Sequence, residues 1–590
     1  MVAIGGASGF WGDSVLGARQ LVASGQIDYL VFDYLAELTM SLLANAQQKN
    51  PDAGYATDFV ALAMRAVLKD ALKKGIRIVA NAGGVNPRAC AGALKALAEE
   101  QGVEVRVAVV EGDNVMPLLP SLDLPGMPAK VLTANAYLGA LPIKQALDAG
   151  VQVVITGRCV DSAVTLGVLM HEFGWASDDY DLLASGSLAG HLIECGCQGV
   201  GGLHTDWEQV PDWANSGYPI VECSRDGGIV ITKPAGTGGL VTPATVGEQL
   251  LYEIGDPARY LLPDVVCDFT QVRLTQQGPG RVAVQGVRGL PPTSTYKVSS
   301  TYMDGYRCAA QLTIIGFDAE RKAQRTAESI LERTRAMFRA LGMADYSATQ
   351  IEILGTAPSH GPYAPQGQHW DAVLWLAVSH GDKRALELFS REIAPSATSW
   401  APGTTGMGGR PAVSPSIKQF AFLLVKDKVQ PTVLLPDGRQ VPVAIPHVQP
   451  QPAASPMPSA PFSPPGASGA DGESAVVDPS WPEVPLIELA WARSGDKGDI
   501  SNIGVIARRP EYLPLLRAQL TEQSVAAYLA HLVEGPVTRY ELPGMDAFNF
   551  VCERALGGGG MTSLRHDALG KGMAQVLLAM PVRVPFEEGA

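Results

Sequence analysis

The chain has 590 residues, a net charge of −14 and 46% hydrophobic residues, with a sequence pI of about 5.2. That apolar fraction supplies several large cores and excludes a disordered chain. The acidic balance excludes nucleic acid and anionic membranes as general partners, but leaves room for a local basic pocket holding a small anion.

In chain order, residues 2–4 read as a short strand that ends in a glycine loop over 5–12. A helix is expected over 14–24 and a buried strand over 27–33. A long helix over 56–74 ends at Gly75, and a strand over 76–83 runs into a loop. Residues 88–101 read as helix, 103–113 as strand, 142–149 as helix and 151–157 as strand. Continuous β-branched runs separated by helices predict an α/β body built on a parallel sheet covered on both faces. Ligands bind such sheets at the carboxyl ends of the strands, here the stretches GGASGFWGD, NAGGVNP and TGRCVDS. The second half of the body, about 266–445, reads as an α+β subdomain with a helix over 318–341. Residues 446–485, rich in Pro, Ala, Ser and Gly, read as an extended linker. It leaves a body over 1–445 (about 1–265 α/β) and a small α+β tail domain over 486–590.

Eight cysteines without a CxxC pair fit free thiols in a reducing compartment better than a disulfide framework. The N-terminus has neither a basic nor an apolar leader region, and no apolar run approaches the length of a membrane span. A soluble cytoplasmic protein is expected, with a homo-oligomer as the default for an enzyme of this size.

Several stretches carry candidate chemistry. The spacing of Gly6, Gly9 and Gly12 is that of a nucleotide loop, with Asp33 at the end of the next strand as a ribose carboxylate. No Tyr-x-x-x-Lys dyad accompanies it, and a tight turn packing helix on strand is the plainer reading. Asn81 opens the second strand-end loop and is a candidate anion-binding residue. In TGRCVDS, Arg158 offers a guanidinium for a carboxylate and Asp161 a carboxylate for base work; the plain alternative is an internal pair with a helix cap at Asp161.

In GHLIECG, His191, Glu194 and Cys195 would share one helix face, with Gly196 ending the helix. A carboxylate at a helix C-terminus is mildly unfavourable, so Glu194 is expected to have a partner or a role. Acid/base work by Glu194 or His191, a metal site of unmatched spacing, and a nucleophilic or inert Cys195 are the alternatives. Gly236, Thr237, Gly238 and Gly239, with Lys233 beside them, read as an anion nest or a plain turn. In the tail, Asp496 and Lys497 lie in RSGDKGDISNIG, and Arg565 and His566 are placed at a helix start after four glycines. SWAPGTTGMGGRP repeats the glycine-rich theme with Arg410. Serine-hydrolase, zincin and P-loop signatures are absent.

IGGASGFWGDS, NAGGVNP, TGRCVDS, GHLIECG, KPAGTGGLVT and YEIGDPARYLLPDV, in this order over about 3–445, resemble the acyclic terpene utilisation AtuA family. The tail, with ARSGDKGDISNIG, resembles the AtuA-like ferredoxin-fold domain. The resemblance implies catabolism of branched, citronellol- or geraniol-type acids as CoA thioesters. The step implied is a retro-aldol cleavage of a 3-hydroxy-3-isohexenylglutaryl-CoA-like substrate. It brings no assigned catalytic residues. For that chemistry the residues offer Glu194 or Asp161 as base, His191 as proton donor, Arg158 as carboxylate clamp and 236–239 as the nest for CoA phosphates. No cofactor is certain; the substrate carries CoA, and a divalent metal stays open. A hydratase or hydrolase on a related thioester, an NAD(P)-dependent oxidoreductase and a non-catalytic pathway scaffold are the alternatives.

Overall fold

The computed structural model describes residues 1–365, 367–405, 408–447 and 477–585. The body is built on a mixed eleven-stranded sheet. Its centre is parallel, with strands in the spatial order Val2–Gly6, Tyr29–Phe32, Arg77–Ala80, Val153–Thr156 and Val107–Glu111. Antiparallel strands extend both edges. Ile220–Cys223, Ile229–Thr232, Arg281–Gln285 and Arg273–Gly278 follow one another beyond Val2–Gly6; Thr432–Leu434 and Gln440–Pro442 lie beyond Val107–Glu111.

The central strands are short and mainly apolar, with Arg77, Glu111 and Thr156 only at strand ends, because helices bury both faces. Leu16–Ser24, Phe59–Lys73 and Pro87–Glu100 pack into one core, with the 59–64 stretch π-helical. Leu141–Asp148, Ala163–Phe173 and Tyr180–His191 pack into the other. The chain leaves Arg77–Ala80 toward the first face and leaves its neighbour Val153–Thr156 toward the second. Such a divergence opens a crevice at the carboxyl ends of the two strands.

A second sheet is organised by the long strand Thr295–Ile315. It pairs with Asp371–His380, Ser414–Val425 and Val131–Ala136. The helix expected over 318–341 is present as Ala319–Ala340. The division near residue 265 is not a spatial one, because the halves exchange strands. Val131–Ala136 joins the second sheet, whereas Arg273–Gly278, Arg281–Gln285 and Thr432–Leu434 join the first.

Within the linker expected over 446–485, residues 448–476 lie outside the described residues. Glu483–Pro485 pairs with Pro581–Arg583, so the tail fold begins there. The tail carries a four-stranded antiparallel sheet in the order Ala490–Lys497, Ile500–Ala507, Ala547–Cys552, Val537–Leu542. Its helices are Leu513–Gln519, Glu522–Tyr528 and Met573–Leu578. Arg565 and His566 therefore precede a helix by several residues instead of starting one. Arg565 donates to the Leu532 and Ala555 carbonyls at 3.0 and 2.7 Å, and His566 contacts Glu352 of the body. Among the described residues no helix is long and apolar enough to cross a membrane.

Candidate functional site

The strand-end loops meet as the alternation of strands and helices predicts. Arg158 follows Val153–Thr156 and is buried. Its backbone N–H donates to Asp113 at 3.0 Å, and its guanidinium donates to Asp161 at 2.7 Å. The guanidinium carbon lies 4.1 Å from the centre of the Tyr137 ring, a cation–π contact. Helix Ala163–Phe173 takes Ser162 as its N-cap residue, so Asp161 is free of the capping role. Asp33 is buried behind this pair and accepts from the Asn81 amide. Burial first, then the Asp161 charge, push the Asp33 carboxyl well above its ordinary range. Asn81 also accepts from the Tyr34 amide at 2.7 Å, so it holds Asp33 and its side chain is fully buried.

A cleft of about 360 Å³ opens beside this cluster. Asp161, Tyr137, Glu253, Tyr260, Lys297 and Lys497 line it. The Tyr137 hydroxyl donates to Glu37 at 2.6 Å, and Gln419 adds a second bond at 3.1 Å. Burial opposes the charge of Glu37, but Arg158 and Lys297 outweigh it and hold the carboxyl down at about 2. Lys297 Nζ sits 5.0 Å from the Tyr137 ring centre. Its pKa is lowered, chiefly by burial.

Lys497, from the tip of the tail hairpin, reaches Glu253 at 3.1 Å. Burial works against the ammonium of Lys497, but the charges of Glu253 and Asp161 outweigh it and raise its pKa well above the lysine range. Lys571 contacts Tyr252, Glu253 at 3.2 Å and Asp496 at 2.7 Å. Burial again disfavours the Glu253 carboxylate, yet Lys497 and Lys571 bring it to about 2. Tyr260 is kept as the neutral phenol, chiefly by burial. The wall therefore presents Asp161 and Asp256 as carboxylates outside the lysine network, the Arg259 guanidinium, the ammonium groups of Lys297 and Lys497, and the Tyr260 phenol as a donor.

His191 and Glu194 stand behind this wall and do not line the cleft. The helix expected to run to Gly196 ends at His191. Gln249 donates to the His191 carbonyl at 2.8 Å and so takes the acceptor that a further turn would use. Glu194 and Cys195 lie in the turn beyond, yet His191 Nδ1 still meets Glu194 at 3.0 Å. Nε2 faces the Leu250 carbonyl at 3.1 Å; a carbonyl only accepts, so Nε2 carries a proton. Burial opposes the imidazolium, but Glu194 and that carbonyl win and raise the His191 pKa above 6.5. The stability this gives is fully present below about pH 6.5 and is lost as pH rises through the raised value. Glu194→Gln is expected to bring the His191 pKa down and abolish this slope; NMR titration of the ring and thermal unfolding against pH measure both. Glu194 Oε2 is buried without a partner. Burial, then Glu194 and Glu253, push the Cys195 thiol well above its usual value, so no thiolate nucleophile stands there. All eight cysteines are free.

The two glycine loops serve packing. A Cβ on Gly6 would lie 2.3 Å from the Ile193 carbonyl oxygen, and one on Gly9 would lie 2.7 Å from the Cys195 carbonyl carbon. The Gly6 and Gly9 amides donate to Pro219 O and Asp13 Oδ2 at 3.0 and 2.9 Å, and Gly12 makes the turn at φ +103°. This loop thus clamps the 193–196 segment, and Asp33 faces Asn81 instead of a ribose position.

Gly236–Gly239 likewise forms a clasp and no open nest. The Gly238 and Gly239 amides donate to Asn215 O and Pro211 O at 2.8 and 2.9 Å. Lys233 Nζ donates to Thr237 O at 2.6 Å. A Cβ on Gly238 would lie 2.0 Å from Asp212 O. Arg410 is exposed. Among the described residues no group of three or more His, Cys, Asp or Glu is arranged to hold a metal ion.

Glu37, Tyr137, Glu253, Tyr260, Lys297 and Lys571 escaped the sequence reading as site residues. Glu253 and Tyr260 lie inside YEIGDPARY, where a charge follows an apolar helix end, and Lys297 interrupts an otherwise half-buried strand.

Residues 2–435 match the family described as Acyclic terpene utilisation family protein AtuA, and residues 484–583 match the AtuA ferredoxin-like domain. The chain belongs to this AtuA family and ends in its ferredoxin-like domain. Neither a curated protein nor a solved structure matches it.

Proposed function

We propose that this member of a terpene-utilisation family is an acyl-CoA lyase, cleaving a branched 3-hydroxyglutaryl-type thioester by a retro-aldol reaction. The observation that carries the reading is the pairing, in one cleft, of Asp161 with the two ammonium groups of Lys297 and Lys497. Asp161 takes the proton of the tertiary hydroxyl. The bond between the carbinol carbon and one methylene breaks, leaving a ketone. The electron pair passes into the carbonyl of the departing arm as an enolate, which is then protonated at carbon. Tyr260 donates a hydrogen bond to that developing oxyanion, and Lys297 stabilises its charge. Lys497 holds the substrate's free carboxylate. Arg158 fixes Asp161 and is itself braced on Tyr137, which makes it a positioning residue.

Mass-spectrometric turnover of branched 3-hydroxyglutaryl-CoA and glutaconyl-CoA thioesters, with and without EDTA, tests the reading. Release of acetate or acetyl-CoA supports the lyase. A mass change of one water would replace it with a hydratase, and no turnover of any thioester would remove it. Lys497→Gln is expected to raise KM about tenfold or more, the loss of a charge-assisted contact, with a smaller fall in kcat.

A further inference from the structure

A second cleft between body and tail lies apart from the reaction cleft. A cavity of about 600 Å³ lies on the other side of the Tyr252–Lys571–Glu253 network, between the body loop 201–216 and the tail. Leu203, Trp207, Val210 and Trp213 form its body wall. Three of them are conspicuous for large apolar side chains, with Leu203 73%, Trp207 56% and Trp213 61% exposed. The indoles meet edge to face, with ring centres 5.9 Å apart.

The loop that presents these side chains is pinned. Arg508 donates to both Asp206 oxygens at 2.7 and 2.6 Å, and the Trp491 indole N–H adds a bond at 2.7 Å. It also holds two non-glycine residues in the left-handed region, Leu203 at φ 58° and Asp212 at φ 48°. Such conformations are unfavourable and collect at ligand clamps.

Arg493 and Lys571 line the floor and, among the described residues, no Asp or Glu does; Glu248 pairs with Arg493 at 3.3 Å, and Glu253 and Asp496 pair with Lys571 at 3.2 and 2.7 Å, from behind the lining. The Arg493 side chain is only 7% exposed, and its Nε is buried without a hydrogen-bond partner. Aromatic faces above and guanidinium and ammonium below complement a ligand that is apolar along its length and anionic at one end.

We propose that this cavity is a second binding site, for a free carboxylic acid carrying a hydrocarbon chain. The chain lies along Trp207 and Trp213 and the carboxylate faces Arg493 and Lys571. The choice of a branched chain rests on the family's terpene chemistry; the amphipathic-acid class rests on the cavity alone. Lys571 also contacts Glu253 and Asp496, so occupancy bears on the neighbouring reaction cleft.

Isothermal titration of the full chain with 3,7-dimethyloct-6-enoate tests the site, against the corresponding alcohol and glutarate. The acid is expected to bind saturably at submillimolar concentration, more tightly than either control. Trp213→Ala, at an exposed position, is expected to weaken it about tenfold. Gln575→Glu, which adds a carboxylate to the lining, is expected to weaken it several-fold. No saturable binding to wild type overturns the proposal. So does binding that ignores both changes, and so does binding lost only in Lys297→Gln, which would put the acid in the reaction cleft. None of these results touches the lyase reading, which stands or falls on thioester turnover.

Discussion

Asp161→Asn is expected to lower kcat for thioester cleavage by about 10²–10⁴-fold, the range for loss of a general base, with little change in KM. The amide keeps the size of the carboxylate and can still accept from Arg158. Arg158 also remains stacked on Tyr137 with Glu37 and Asp33 nearby, so the wall should keep its shape. Asp161→Glu, which retains the base but moves it, should recover part of the rate. Glu194→Gln, measured beside them, separates the two candidate bases. Glu194 lies outside the cleft lining and is paired with His191, so its loss should change pH dependence and stability more than the chemical step. The reverse ranking, with Asp161→Asn active and Glu194→Gln dead, would assign the base to Glu194 and require the 193–196 turn to open during turnover.

The parallel centre of the body was legible because each strand is a continuous apolar run, and such runs fit strands buried on both faces. Once they are parallel, the loops carrying Asn81 and Arg158 must meet. The Arg158–Asp161 pair was legible for the same reason, being local. The other half of the cleft was hidden in long-range register. Tyr137 follows a strand that leaves the first half of the chain to pair with Thr295–Ile315, bringing it beside Lys297. No local pattern encodes that exchange. Lys497 was visible as a charge in a tight turn, but its partner Glu253 is 244 residues away. Glu194 was misplaced on a helix because the acceptor that stops the helix is taken by Gln249, from another helix. The glycine loops were read through their spacing, which suits anion nests and close backbone packing equally. The amides of Gly6, Gly9, Gly238 and Gly239 already have protein acceptors.

The tail completes the cleft only if it docks in one position, and Glu248 is where that docking is most exposed to a single change. Its carboxylate is fully buried. It accepts from the Thr205 amide at 3.1 Å, the Thr205 hydroxyl at 2.5 Å and His204 at 3.0 Å, and it pairs with Arg493 of the tail at 3.3 Å. Arg493 also donates to Gln198 and to the Gly202 carbonyl at 3.0 and 2.8 Å. Glu248→Ala leaves a buried guanidinium without its counter-charge, at an expected cost of about 3–5 kcal/mol. Chemical denaturation should show this loss, and proteolysis of the native protein should cut faster between the two parts. Arg493→Met alone strands the carboxylate instead, with a cost of similar size. Glu248→Ala combined with Arg493→Met removes both charges, and the pair should cost clearly less than the two single changes added together. If the costs simply add, the ion pair does not couple tail to body. Because docking sets the place of Lys497, Glu248→Ala should also raise KM for the thioester under conditions where the protein is still folded. A Glu248→Ala enzyme with normal KM would show that the cleft is held together by the remaining contacts, chief among them Asn502 and Asn549, which bond the backbone of residues 251–255.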